Sequence, residues 1–292
     1  VESMFRKAPK EWFHSARLDA DIGWRLQYHG TAGFTVSSDQ TNIILDPFVT
    51  RPGLMSTAFR RLVPNEARIE SVFPRADAVL VGHSHHDHIL DAPHICKTTG
   101  ATFVGSQDAA YVAQAAGVPT SQICVTHGEH DHQFGAATIR AIPSLHGKVY
   151  GRVTLPGSIV APPRWPPRVW SLPHGQVLNW SVKMNGVKMV HIDSADMIDD
   201  ELAQHSADVV CLCAIGRQSR PDYVETVVRL LKPRWIVPCH WDWFFSPWGQ
   251  TPPLLPGVNL QGFCREIEAQ GVKPILLPMG GHFGLSPSQI LE

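Results

Sequence analysis

The sequence is short of the features that mark several broad classes of protein. No apolar run approaches the roughly 18 residues that a membrane-spanning helix needs. Lysine and arginine (25 together) are balanced by aspartate and glutamate (26 together), so the formal net charge is −1. This balance provides neither a polycation for nucleic acid nor a basic patch for a membrane surface. The absences argue against a membrane-spanning protein and against a nuclease.

Paired cysteines are also missing. The six cysteines are scattered, mostly within apolar runs, and no two are spaced Cys-x-x-Cys. Reduced, buried thiols of this kind are typical of a cytosolic protein rather than of a secreted protein with disulfides. The first 17 residues contain Arg6, Lys7 and Lys10 but no apolar core of a signal peptide. We therefore expect a cytoplasmic protein.

The chain has no low-complexity segment, no short-period repeat and no clear linker. Its 292 residues, 43% of them hydrophobic, are enough for one large domain or two small ones. A proline- and aromatic-rich segment at about 148–176 precludes an ordinary helix or central strand. We expect an N-terminal extension at 1–23 and a single domain at 24–292 that carries this insertion.

The stretch from Val79 to Asp91 organises the rest of the chain. Ala78–Val81 is a continuous apolar run of the kind expected in a strand buried on both faces. Four histidines and an aspartate follow within the six residues from His83 to His88. Imidazole nitrogen and carboxylate oxygen are ligands for zinc and similar divalent ions. The stretch therefore predicts a metal site where a strand ends.

The spacing within this stretch assigns a direction to each side chain. His83 and His85 leave an extended segment on the same side, and His86 should face away. Asp87 and His88 follow where the chain should turn into a helix, so they can point past a first ion toward a second. The alternative is a solvated, histidine-rich loop or a chelating tract. Such a tract would repeat, and this stretch does not.

The run His83-Ser-His85-His-Asp87-His88 resembles the HxHxDH signature of the metallo-β-lactamase-fold hydrolases. The resemblance implies an α/β fold, a four-layer αββα sandwich of two mixed sheets flanked by helices. The family also places an earlier Asp at a strand end and a later His, Asp and His, for which the chain offers one candidate each: Asp46, His146, Asp193 and His240. The resemblance groups His83, His85 and His146 on one ion and Asp87, His88 and His240 on the other, with Asp193 bridging.

Apolar runs that precede these candidates predict strands. Asn42–Pro47 ends a first hairpin at Asp46, and Val187–Asp193 ends a second hairpin whose Asn185-Gly186 turn suits type I′ geometry. Two hairpins that each end on an aspartate indicate that the domain has two similar halves. Ser194–Ala207 is expected to be helical, and Trp235–His240 to be a strand. Singly, His146 or His240 is open to interpretation as a polar core residue, and Asp193 as a helix N-cap.

Two further assignments concern residues near the predicted site. Asp46 either braces the metal loop through hydrogen bonds, as the resemblance implies, or forms an Asx turn before Pro47. His127, His130 and His132 lie in a polar, glycine-flanked turn, which is a poor place from which to reach the signature. We therefore expect these three histidines not to bind the metal.

The implied chemistry is hydrolysis without an organic cofactor. The resemblance implies two divalent ions, zinc foremost, with manganese or iron also compatible. They would share a bridging hydroxide that attacks a lactone or other carboxylic ester, while Asp87 carries a proton to the leaving group. The alternatives are a phosphodiesterase of the same fold and a non-enzymatic metal-binding module. A panel of lactones and phosphodiesters with metal analysis separates the three.

Departures from neighbouring branches narrow the resemblance. A carboxylate at position 85 would resemble the di-iron redox branch, and true β-lactamases lack the bridging Asp that Asp193 would supply. The Asp87–Pro93 continuation and Pro-Cys-His240-Trp-Asp are similar to the branch that holds ascorbate-phosphate lactonase and the phospholipase D acting on N-acyl-phosphatidylethanolamines. Substrates diverge within that branch, so the fold cannot choose among them.

Two aromatic segments are candidates for contacting the substrate. One follows His240 and the other is the insertion; the candidates are Trp241, Trp243 and Phe244 with Arg164, Arg168 and Trp170. Pockets are mostly apolar with a few polar anchors, so we expect a small-molecule ester with a sizeable apolar portion. The arginines could meet an anionic group of it. The alternative is that these aromatics cover core or the interface of a homo-oligomer.

Overall fold

The computed structural model describes residues 7–14, 23–286 and 289. The predicted extension at 1–23 therefore falls largely outside the described residues, apart from 7–14 and Gly23. The strands are β1 Trp24–Gly30, β2 Gly33–Ser37, β3 Asn42–Leu45, β4 Ala78–Leu80, β5 Thr102–Gly105, β6 Ile123–Val125, β7 His132–Phe134, β8 Ala137–Ser144, β9 Val177–Met184, β10 Val187–Ile192, β11 Val209–Cys213, β12 Trp235–Cys239, β13 Lys273–Pro274 and β14 His282–Leu285.

The helices surround these strands. They are α1 Leu54–Phe59, α2 Glu66–Val72, α3 His86–Ile89, α4 Ala92–Thr99, α5 Gln107–Ala115, α6 Asp199–Leu202, α7 Tyr223–Leu231 and α8 Leu260–Ala269. Within the part of the chain that the structure describes, none is long and apolar enough to cross a membrane. Side chains cap the N-termini of two of them, since Ser106 and Asn259 accept backbone N–H groups of α5 and α8.

The strands form two mixed seven-stranded sheets, in the orders β14-β1-β2-β3-β4-β5-β6 and β13-β12-β11-β10-β9-β8-β7. Each sheet contains an antiparallel hairpin, β2–β3 or β9–β10, followed by parallel strands. Asn185 and Gly186 have positive φ, as a type I′ turn requires. The two mixed sheets flanked by helices confirm the predicted sandwich, and the shared topology confirms its two similar halves.

Alternation along β3 and β4 divides the core into two layers. Ile43, Leu45 and Leu80 face the second sheet, whereas Ile44 and Val79 face the helices on the outside. All five are buried, which is why the sequence reads as a continuous apolar run rather than as an alternating one. The sheets are thus held face to face, with the same edge of both sheets carrying the residues that follow β4, β10 and β12.

The helix predicted at 194–207 is wrong for most of its length. Only Asp199–Leu202 is helical. Ser194 accepts a hydrogen bond from the backbone N–H of Gly147, and Asp196 is paired with Arg220. These tertiary contacts use the polar groups of the segment before a helix can begin, so the chain after Asp193 stays irregular.

Candidate metal centre

Four strand ends deliver the predicted ligands to one place. The signature follows β4, and Asp193 and His240 directly follow β10 and β12. Because β10, β11 and β12 are parallel, their carboxyl ends share an edge. His146 follows β8 two residues beyond its end. A Cβ added at Gly82 would overlap Asp193 Oδ2, so only glycine lets the two sheets close at this point.

The side chains form three overlapping groups. Within each group, the donor atoms lie within 4.8 Å of one another. The groups are His83/His85/His146, Asp87/His88/His240 and His83/His88/Asp193. The first two are the same trios that the sequence resemblance assigns to two ions. The third joins them, because Asp193 Oδ2 lies 2.6 Å from His83 Nδ1 and 3.5 Å from His88 Nδ1. The geometry thus places Asp193 between the two trios.

The donors in this cluster fit divalent cations. His85 Nε2, Asp193 Oδ1 and His240 Nδ1 are buried and have no hydrogen-bond partner among the described residues. A buried polar atom without a partner is costly, and most such atoms in folded proteins are satisfied. Each of the three groups contains one of these residues, and imidazole nitrogens and carboxylate oxygens are the ligands that zinc, manganese or iron take. The residues therefore fit the metals that the fold implies.

Burial also sets the protonation states that coordination needs. Desolvation lowers the pKa of His83 and His88 well below the usual histidine value, and lowers that of His85 to about 3. Neutral imidazoles keep a free lone pair for an ion. Burial alone would raise the pKa of Asp87, but the facing His88 and His240 reverse the effect and hold its pKa well below the usual range. Asp87 is therefore ionised.

Asp46 contacts the metal loop as the bracing interpretation requires. Its Oδ1 accepts the Gly82 N–H at 2.7 Å, and its Oδ2 lies 2.9 Å from His88 Nδ1. Holding Nδ1 leaves His88 Nε2 to face Asp87, 3.6 Å away. Burial, with the charge of Asp193 next, raises the pKa of Asp46. A carboxylate that orients the far nitrogen of a ligand histidine is a common support of metal sites.

The cluster forms the floor of a cavity of about 460 Å³. The walls are mainly apolar and come from the insertion, from the loop after β11 and from the segment after His240. Val149, Leu155, Val169 and Phe244 are among them. Neither lysine nor arginine is among the described residues that line it. Such a cavity is suited to an apolar, uncharged group held above polar reactive atoms.

The structure divides the predicted substrate contacts into two sets. Trp243 and Phe244 line the cavity. Trp241 does not, because it points between the sheets, against Tyr28 and Phe13, with 1% of its surface exposed. For Trp241 the core alternative holds.

The three contacts predicted from the insertion also lie outside the cavity. Trp170 is 55% exposed, and the guanidinium of Arg168 stacks over it. Arg164 is exposed, and neither arginine lines the cavity. The insertion instead contributes Tyr150, Leu155 and Val169 to the walls. Which of its side chains face inward depends on how this irregular segment folds back, and its sequence has no period that would show it.

Two histidines of the site differ from expectation. His86 lines the cavity instead of facing away, with its ring edge against Phe48 and Phe244. Side chains alternate only in extended backbone, and α3 begins at His86. From this residue on, side chains point in directions set by the helical period, so the alternation of the preceding segment does not apply to His86. His174 of the insertion was not predicted at all. It stacks on His146 at 5.2 Å, and its carbonyl accepts the Ser84 N–H.

The histidines of the β6–β7 turn lie elsewhere. His127 contacts Gln176, and His132 lies near Cys124. None of His127, His130 and His132 belongs to the three groups or lines the cavity. Their position leaves His146 as the histidine that completes the first trio.

The chain is similar in sequence to the members of a known family. Residues 25–240 match the family model of the beta-lactamase superfamily domain. A UPF0173 metal-dependent hydrolase of Methanopyrus kandleri is 29% identical over 263 residues, covering 88% of this chain and 97% of its own. The finer resemblance to the ascorbate-phosphate lactonase branch is not tested by these matches and stays a prediction.

Solved structures share the fold at low identity. A metallo hydrolase of Ignicoccus hospitalis superposes with a TM-score of 0.58 at 16% identity, over 90% of this chain and 98% of its own. The di-iron β-hydroxylase of Streptomyces venezuelae superposes with a TM-score of 0.56 at 11% identity, over 92% of this chain and 55% of its own. A hydrolase and a hydroxylase thus share one fold, so the site must decide the chemistry.

Proposed function

Because this chain belongs to the beta-lactamase superfamily domain family, we propose that it is a metal-dependent hydrolase that cleaves an uncharged carboxylic ester or lactone. The observation that carries the proposal is a His/Asp cluster at the floor of an apolar cavity without lysine or arginine among its described lining residues. The name of the Methanopyrus kandleri relative supports the coarser part of the proposal, metal-dependent hydrolysis.

Two ions fit the cluster. His83, His85 and His146 would hold one, Asp87, His88 and His240 the other, and Asp193 would serve both. Zinc is the foremost candidate for this ligand set, with manganese and iron compatible. When bound, such ions lower the pKa of water and polarise the ester carbonyl. No organic cofactor is needed.

The side chains around the cluster supply proton transfer and positioning. Asp87 is buried and ionised, so it can take a proton from water and pass it to the leaving alkoxide. Phe244 packs 5.5 Å from the ring of His240, which fixes an apolar wall beside the second trio. This wall would hold the acyl or alkyl part of the substrate and exclude bulk water from the cleft.

The lining of the cavity favours a substrate without a second charged group. An anionic group away from the scissile bond would be buried far from the ions and would require a cationic partner. The described lining residues provide none. The arginines that we expected to meet an anionic group lie outside, so the favoured substrate is neutral beyond its scissile bond.

A single panel tests the proposal. The protein, with its metal content measured, is assayed with long-chain and short-chain lactones and with bis(p-nitrophenyl) phosphate. We expect turnover of the lactones, faster with the long chain, and little of the phosphodiester. Preference for the phosphodiester would make the protein a phosphodiesterase. Absence of turnover of both classes by fully loaded protein would support a non-enzymatic metal-binding module.

A further inference from the structure

Helix α1 presents its apolar side chains to solvent. Met55 and Phe59 are neighbours one turn apart and are 69% and 67% exposed, and Leu54 beside them is exposed as well. The buried residue of this helix is the polar Thr57. Surface helices normally face their apolar side inward, so the orientation of α1 is the reverse of the usual one. Val63, just beyond the helix, is also exposed.

The insertion extends this apolar surface. The N–H of Leu62 donates to the Pro167 carbonyl at 2.8 Å, and Arg168 Nη1 donates to the Phe59 carbonyl at 3.3 Å. These bonds fix the exposed Trp170 next to α1. We call the resulting surface the mouth patch; it consists of Leu54, Met55, Phe59, Val63 and Trp170. Contiguous apolar surface of this kind usually marks an interaction site.

All charged side chains of the segment around α1 and of the insertion are cationic. Residues 51–65 and 148–176 contain neither aspartate nor glutamate, and they contain Arg51, Arg60, Arg61, Lys148, Arg152, Arg164 and Arg168. Arg51 is buried in an ion pair, and the other six are exposed or half-buried. Desolvation and the charges of Arg164 and Arg168 lower the pKa of Arg61, which reflects how closely the three are gathered. The net charge of −1 hides this segregation.

Residues next to those of the mouth patch line the cavity. Thr57 is the buried residue of α1 and lines the cavity, and Val169, which precedes Trp170, also lines it. The two segments that expose apolar side chains outward therefore also form the cavity wall.

We propose that the mouth patch docks on an anionic phospholipid surface. Such a surface offers acyl chains for Phe59, Met55 and Trp170 and phosphate groups for Arg61 and Arg164, so it matches both the apolar mouth patch and the arginines of the same segments. A second copy of the chain would bring like charges together across a two-fold axis. Nucleic acid would match the arginines but leave the apolar side chains without a partner. Docking requires neither bound metal nor turnover, so it stands apart from the proposed ester hydrolysis.

The experiment is sedimentation of the full chain with vesicles of phosphatidylcholine, with or without an equal part of phosphatidylglycerol. We expect binding to the anionic vesicles that weakens when ionic strength rises from about 0.1 M to about 1 M, since the Debye length falls from about 10 Å to about 3 Å. Arg164→Gln should weaken it about fivefold at the lower salt. Phe59→Ser should weaken it at both salt concentrations, because the lost contact is apolar.

A matched control lies on the outer face of the second sheet. Lys183 is exposed, and it lines a separate polar groove with Thr138 and Lys188. Lys183→Gln removes the same charge as Arg164→Gln and should leave vesicle binding unchanged. Equal loss in both variants, or wild-type binding without preference for anionic vesicles, would overturn the proposal. So would a concentration-dependent dimer that Phe59→Ser dissociates, since the patch would then belong to a second copy. Thermal melts and metal content verify that each variant is folded.

Discussion

Arg51 and Asp242 form an ion pair in which both side chains are completely buried, with 2.5 Å between Arg51 Nη2 and Asp242 Oδ2. The other oxygen of Asp242 accepts the Tyr28 hydroxyl at 2.6 Å and the Thr31 N–H at 2.7 Å. His240, two residues before Asp242, donates its backbone N–H to the Thr31 carbonyl. The network holds the segment carrying His240 and Phe244 against the turn that connects β1 and β2. It thereby positions a predicted ligand from the opposite sheet.

Removing one member of this pair should be costly. Asp242→Ala leaves Arg51 as a buried, uncompensated charge, and such a loss typically destabilises a protein by about 3–5 kcal/mol. The free energy of unfolding in urea measures the effect. The matched control is Asp131→Ala in the exposed pair with Arg140, for which about 1 kcal/mol or less is expected. Equal small losses in the two variants would show that the buried network does not stabilise the fold.

Asp193 should control occupancy of both ion positions. It lies between His83 and His88, one from each trio. Asp193→Ala should therefore lower the metal content from about two ions per chain toward none, as measured by mass spectrometry of the metal after desalting. Fully loaded wild-type protein with one ion would refute the two-ion proposal. A variant that keeps one ion would show that Asp193 serves a single position.

The choice among the histidines outside the signature can be tested directly. His146→Ala should lose the ion held with His83 and His85, because three donors converge there. His127→Ala, in the β6–β7 turn, should keep the full metal content. The reverse pattern would show that the first ion lies elsewhere than we propose.

The preference for substrates with a long apolar chain should depend on residues inside the cavity and not on those outside it. Phe244→Ala enlarges the wall beside His240 and should raise KM for a long-chain ester by about tenfold or more, with little change for a short one. Trp170→Ala is the control, because Trp170 lies on the outer surface. Both variants are assayed with dissolved substrate and measured metal content. A similar effect of both would argue against the cavity as the acyl site.

His29 should make the fold sensitive to acid. It is buried against Phe73, with its Nε2 2.8 Å from Thr35 Oγ1. Burial, followed by the charge of His282, lowers its pKa from 6.5 to about 3. The unfolded chain therefore binds the proton first. The contribution to stability is complete above about pH 6.5 and is lost as the pH falls toward about 3.

Replacement of His29 measures this contribution. His29→Gln can keep the contact to Thr35 but cannot titrate. The slope of unfolding free energy against pH should be shallower in the variant by about 1.4 kcal/mol per pH unit between about pH 6 and pH 4. Both proteins are unfolded in urea after treatment with a chelator, so that the other histidines contribute equally. Identical slopes would mean that His29 is protonated in the folded state.

Local chemistry was enough for many of the strands and for placing the predicted ligands at strand ends, whereas the family resemblance supplied the sandwich fold and the grouping of the ligands. The buried run before His83, the Asn185-Gly186 turn and the apolar runs ending at Asp193 and His240 each encode their element through burial, backbone conformation and spacing. Parallel strands then bring their carboxyl ends to one edge, so residues distant in sequence meet without further information.

Other features exist only in the folded chain. Trp241 and Trp243 are two residues apart, yet one lies in the core and the other lines the cavity. His174 approaches His146 only because an irregular, proline-rich insertion folds back over the site. The arginines gathered beside the mouth patch are invisible in a net charge, since a sum over the chain does not record where each charge lies. Sequence patterns describe neighbours within one element, whereas these relationships depend on packing between elements that have no common period.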